Sequence, residues 1–256
     1  MLAALPVRAQ GSPGAVAADR PGFGDGSAVV APGRFQAEGG YTYSEQGAVR
    51  THSLGQAVLR YGAAPRVEVR ALLGSYVRVR VPEACPRTTL CLAAAEDVEG
   101  LTDLALGAKV NLLAGGGAPL GRPNLTAILD VALPTGDDAF SASEVQPTFK
   151  LALDLPLTPA AGFSANAGYT ITLGGDPDGT FFTYAALGAG IGAVEGLGVF
   201  AGLYSLFPRD GDAAHGLDGG VTYLLNPATQ LDLNAGAGLS EGEPDFAIGA
   251  GIARRF

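Results

Sequence analysis

Ten charged residues fall on one phase of short alternating runs: Arg34, Glu38, Arg60, Glu68, Arg70, Asp103, Lys109, Asp130, Lys150 and Asp154. The only two lysines of the chain are both in this set. Charges projecting into an enclosed space are strongly desolvated and require partners of opposite sign, which neighbouring strands can supply. Such a set does one of two things. It forms a constriction that selects solutes by charge and size, as rings of charge do in pores, or it forms a salt-bridge network that fills the space. A second group, Phe182, Phe200 and Tyr204, breaks the alternation of its runs and implies an apolar wall in the same interior, which either guides a hydrophobic or aromatic solute or packs against residues 11–32 folded inward.

Other chemistries find less support. His52 and His215 are the only histidines, so a histidine-based triad must use one of them. Ser53 adjoins His52 but points to the opposite face of a strand. A barrel phospholipase is the rival class, and the expectation is no enzyme. Gly188, Gly190 and Ala193 fit a dinucleotide fingerprint formally, yet no helix can follow "GAVEGLGVF". Paired acidic residues at 137–138, 176 and 178, 210 and 212, and 241–245 lack the distal glutamate of a calcium loop, so they read as solvated turns. No cofactor motif and no metal cluster is expected.

The elements that carry these residues are strands. The chain has 256 residues, 39 of them glycine and none tryptophan, with 16% charged. Apolar residues alternate with small or polar ones, which is a β period and not a helical one. The segment "FFTYAALGAGIGAVEGLGVFAGLY" (181–204) is apolar enough to suggest a membrane helix, but it holds six glycines and Glu195. Each interior glycine costs a helix about 1 kcal/mol relative to alanine, so two strands joined at "AVEG" fit better. A net charge of −9 disfavours nucleic acid as a partner, because phosphates require a basic face.

Twelve runs follow: 34–44, 51–61, 66–74, 102–113, 124–133, 148–157, 162–173, 180–191, 197–207, 215–225, 229–239 and 244–256. Each is about long enough to cross a bilayer when tilted. Connections alternate between tight turns such as "GAAP", "TPAAG" and "NPA" and longer acidic loops such as "PTGDDAFSASEV" and "PRDGDAAHG". Within the sixth run, Phe149, Leu151, Leu153 and Leu155 alternate with Lys150, Ala152 and Asp154. A soluble sandwich would place many Lys and Glu on its polar face. Here that face is mostly Gly, Ala, Ser, Thr and Asn, as a crowded lumen requires. The fold class is therefore all-β, a single antiparallel transmembrane barrel of about 12 strands with a short irregular N-terminal segment.

The chain resembles the outer-membrane β-barrel transporter family associated with the meta-pathway of phenol degradation. The resemblance rests on "DRPGF" (19–23), "PGRFQAEGGYTY" (32–43), "LRYG" (59–62), "RVEVR" (66–70), "LPTGDD" (133–138) and the terminal "ARRF". It implies a barrel in the bacterial outer membrane and passage of small, aromatic molecules. It departs at "PGFGDG", where a more acidic or hydroxyl-rich continuation is expected.

Residues 1–10 read as the remnant of a signal peptide, 11–32 as a periplasmic or lumen-plugging segment, and 33–256 as the barrel. Cys85 and Cys91 are close enough in sequence for a small disulfide in an oxidising compartment, or stand as two thiols. With an even strand number both termini fall on the periplasmic side. Phe256 has the form of the C-terminal aromatic signal presented to the barrel-assembly machinery. The expected partners are outer-membrane lipid, lipopolysaccharide, that machinery and a small-molecule solute. The expected function is passive uptake of small hydrophobic or aromatic solutes; the alternative is a structural or surface-interaction barrel with a sealed lumen.

Overall fold

The computed structural model describes residues 15–81, 97–117, 120–174 and 178–256. The proposed signal remnant and both cysteines lie outside these residues. The strands are β1 (Phe35–Gln46), β2 (Val49–Ala64), β3 (Val67–Leu72), β4 (Tyr76–Arg80), β5 (Val98–Leu101), β6 (Leu104–Leu113) and β7 (Asn124–Leu133). There follow β8 (Gln146–Pro156), β9 (Ala161–Thr172), β10 (Asp178–Gly190), β11 (Leu197–Pro208), β12 (Ala214–Asn226), β13 (Thr229–Gly238) and β14 (Phe246–Arg255). Every pairing between these strands is antiparallel, and β1 pairs with both β14 and β2, so the sheet closes. Closure leaves no edge for lipid to face.

Fourteen segments make twelve staves. Both β3 and β4 pair with β2, at Val58↔Leu72 and Leu54↔Tyr76, so they are one stave bent at 73–75. Likewise β5 pairs with β4 and β6 with β3, so they are one stave broken at Thr102–Asp103. The bend has a local cause. Between Glu38↔Val58 and Gly40↔Gly55, β2 carries one residue more than β1, a bulge in which Gly55 and Gln56 take φ of 103° and 42° and Gly74 opposite takes 71°. The bulge reverses the phase of β2, so Leu54 faces out while Arg60 is buried inside.

The alternation alone ends the third run at Gly74 and leaves the following residues to a loop. In the structure β4 and β5 continue the barrel wall. Their charges pair across strands on the exposed face, Arg78 with Glu99 at 3.3 Å and Arg80 with Asp97, so this hairpin stands clear of the apolar band. There the Asp97 carboxyl is held below the usual range by the Val81 N–H and by Arg80.

The outer face is apolar. Phe149 is 52% and Ile248 53% exposed, together with Leu106, Leu129, Leu203, Leu233 and Ile252. An aqueous protein does not show such a continuous apolar surface. Aromatic rings form a row in register across four adjacent strands, Phe149↔Tyr169, Tyr169↔Phe181 and Phe181↔Phe207, at the end that carries the longer loops. Phe35 and Phe256, 6.0 Å apart, mark the other end. These are the interfacial girdles of an outer-membrane barrel.

Candidate functional site: the occupied lumen

Residues 15–33 lie inside the barrel as an inward loop. Both ends sit at the tight-turn rim. Val16 donates its N–H to the Pro227 carbonyl at 2.7 Å and Arg255 reaches the Ala15 carbonyl at 2.8 Å. On the return, Val30 donates to Glu68 at 2.7 Å and Gly33 to the Gly62 carbonyl at 2.8 Å. The tip, residues 20–25, stands highest. In "PGFGDG" only Pro21 and Phe23 are apolar, so polar anchors on the wall share in setting its position.

Those anchors are mostly the charges singled out from the sequence. Arg60 pairs with Glu38 at 2.7 Å, Glu68 at 2.8 Å and Asp19 at 3.4 Å. Arg70 pairs with Asp130, with Asp25 at 2.8 Å and with Asp19 at 3.2 Å. Lys109 meets Asp19 at 2.5 Å, and Lys150 meets Asp25. Asp154 accepts the Ser27 N–H at 2.8 Å and also its hydroxyl. Eight of the ten charges thus join one network, seven of them touching the inward loop and Asp130 reaching it through Arg70. The wall supplies four cations here, and two carboxylates of the loop, Asp19 and Asp25, pair with three and two of them respectively.

Two of the ten do not join the network. Arg34 is exposed and precedes β1; its carbonyl accepts the Gly62 N–H at 3.0 Å. The alternation loses its meaning one residue past the rim, where a side chain meets water. Asp103 sits at the break between β5 and β6 and accepts the N–H groups of Thr135, Gly136 and Ala142 at 2.9, 2.8 and 3.0 Å. It braces a loop at the rim of the lumen and does not charge the network.

The apolar wall is present on the opposite side. Phe23 stacks on Tyr204 with ring centroids 4.4 Å apart and planes 8° from parallel, and meets Phe182 edge-on at 6.4 Å. A Cβ on Gly22 would lie 3.4 Å from the Phe200 ring, so all three predicted wall residues surround the tip. Tyr184, 6.1 Å from Phe23, completes the wall and is absent from the sequence-based set. Its signal is present all the same: it lies two residues from Phe182 and so shares its face.

Gln56 is also absent from that set. The bulge turns it inward, where its side-chain oxygen accepts from Arg20 at 3.0 Å. Glycines allow the close approaches. A Cβ at Gly62 would be 2.1 Å from the Ala31 carbonyl oxygen, a backbone atom that cannot yield cheaply. Gly62→Ala is expected to loosen the loop where it returns to β1, read as new protease cleavage within residues 15–33 of a barrel that still shows heat-modifiable migration.

Beside the loop tip the lumen keeps two adjoining spaces that share Gln56 and Val58. One, of about 280 Å³, is lined by Arg20, Phe23, Thr42 and Asn234. The other, of about 450 Å³, is lined by Ser75, Asp103, Asp130 and Lys150. The histidines lie elsewhere. His52 accepts from or donates to the Tyr41 hydroxyl at 2.7 Å, and His215 pairs with Ser205 at 2.8 Å beside the girdle residue Phe207. Both are on the outer face.

Residues 18–256 match the family described as "Putative MetA-pathway of phenol degradation". The chain belongs to that family. Its fold is similar to the COG4313 outer membrane channel from Pseudomonas putida F1, with a TM-score of 0.66 at 16% identity, covering 93% of this chain and 100% of that one. It is also similar to the NanC porin (TM-score 0.56, 8% identity, 86% and 98% covered) and to the KdgM porin (TM-score 0.53, 7% identity, 86% and 99% covered). No curated protein sequence matches the chain. With its closed barrel and apolar outer band, this member of the phenol-degradation family is a protein of the bacterial outer membrane.

Proposed function

We propose that the protein is a passive channel for small hydrophobic or aromatic solutes whose width is set by its own inward loop. The observation that carries this reading is the space that the inward loop leaves in the lumen. Residues 15–33 are bound by charge to the wall from β1 to β8 and, through Arg20 and Asp232, to β13, yet the tip leaves one space beside β1, β2 and β13 and another beside β2, β3, β6, β7 and β8. Twelve strands enclose more room than side chains alone fill in eight, and less than the open water of sixteen. A loop of this size therefore decides whether solute passes. The family's association with phenol breakdown and the channels of like fold support uptake as the purpose. In this reading the termini and the tight turns face the periplasm, the acidic loops face lipopolysaccharide, Phe256 engages the barrel-assembly machinery, and no catalysis takes place.

The rival is a sealed structural barrel, favoured by the density of ion pairs on the loop. Liposome swelling with purified full-length protein separates the two. The channel reading expects small neutral solutes to enter faster than into protein-free liposomes; equal rates would overturn it.

A further inference from the structure

Phe23 is a ring carried between Gly22 and Gly24 at the top of the inward loop, and it remains 42% exposed although stacked. Its neighbours are built to receive a flat ring. Gly202 and Gly216 leave no room for a Cβ because ring atoms of Tyr184 and Tyr204 already stand 2.5 and 2.3 Å from those positions. The two tyrosine rings therefore lie close against the wall of β11 and β12. The Tyr204 hydroxyl is tied down by donating to Glu243 at 2.6 Å. At the edge of this platform stands Asp218. Its Oδ2 accepts the Phe23 N–H at 2.8 Å and the Tyr184 hydroxyl at 3.4 Å. Its Oδ1 is buried and has no hydrogen-bond partner among the described residues. A buried acceptor left open beside an aromatic platform is an invitation to a donor.

We propose that this platform is a binding site for a neutral single-ring aromatic bearing a hydroxyl or amino donor, and that Phe23 occupies it as a tethered stand-in which the solute displaces. The inference rests on the channel reading and deepens it by naming the class of solute. The arriving ring takes the stacking partner Tyr204 and the edge contact with Phe182, and its donor reaches the open Asp218 oxygen. A solute without a donor gains only the stacking, and one with a donor but no flat ring gains only the hydrogen bond. Binding of this kind is weak, which suits a conduit, since a solute must leave as readily as it enters.

The chain has no tryptophan, so Phe23→Trp in the full-length protein places a single indole reporter on the platform. The indole fluorescence of this variant in detergent micelles is titrated with phenol, toluene and cyclohexanol. The site predicts a saturable change with phenol and a change needing several-fold more toluene or cyclohexanol. Adding Tyr204→Leu should abolish the phenol response, and adding Asp218→Ala should make phenol and toluene equivalent. Heat-modifiable migration confirms that each variant is folded, and Phe23→Trp alone serves if a double variant is not. A linear, unsaturable response shared by all three compounds would overturn the proposal, as would a phenol response indifferent to Tyr204→Leu. If solute enters liposomes but the indole does not respond saturably, the site is wrong and the channel stands. If the indole responds and liposomes do not swell, the channel is wrong and the site stands.

Discussion

Deleting residues 17–30 is expected to raise single-channel conductance in planar bilayers several-fold while leaving the barrel folded. The barrel does not depend on the loop for closure. Its twelve staves are joined by ladders that run β1 to β14 and back through β2, and all of these survive the deletion. What is lost is the material that fills the lumen between the charged wall and the aromatic wall. Conductance follows the open cross-section, so removing this loop has the largest effect of any change to the chain. The cations Arg60, Arg70, Lys109 and Lys150, uncovered by the deletion, retain Glu38, Glu68 and Asp130 on the wall itself, and water entering the lumen hydrates the remainder. Heat-modifiable migration checks folding. An unchanged conductance with a folded barrel would mean that the loop does not limit the pore.

The barrel is legible in the sequence because lipid imposes a simple code. Phe149, Leu151 and Leu153 against Lys150, Ala152 and Asp154 state both the period and the two faces, and the alternation of tight turns with acidic loops gives the direction of each stave. The code holds only within the membrane. "YVRVR" at 76–80 alternates as well, but its arginines face outward above the apolar band, so a reading tuned to lipid assigns it to a loop. The eight network charges are legible for the same reason as the strands. Their partners are not. Asp19 and Asp25 lie in a run of Gly, Pro and Asp without period, and their contacts with Arg70 and Lys109 span 45 to 90 residues. No local spacing encodes such a meeting. Gln56 illustrates a third limit: its inward aim comes from a bulge at positive φ, and an extra residue in one strand is invisible until its partner is known.

Asp19→Ala is expected to release the inward loop from an otherwise intact barrel. Asp19 touches three cations, at 2.5 Å (Lys109), 3.2 Å (Arg70) and 3.4 Å (Arg60). The two arginines keep other carboxylates. Lys109 does not: its side chain is fully buried, and its other hydrogen bond goes to the Gly26 carbonyl at 3.0 Å. A buried charge deprived of its partner costs about 3–5 kcal/mol. The strands are fixed by their ladders, so the system relieves that cost where it is softest, by letting the loop leave and water reach Lys109. A cost of that size shifts the docked-to-free equilibrium by about a hundred-fold to several thousand-fold. It should appear as long-lived openings to the conductance of the deletion variant. The same reasoning fixes the control. Lys109→Met removes the cation that Asp19→Ala strands, so the double variant Asp19→Ala, Lys109→Met should close more often than Asp19→Ala alone, although it carries one more substitution. Simple loss of packing would make the double variant worse than either single one. A double variant that stays open would show that the Asp19–Lys109 pair does not hold the loop in place.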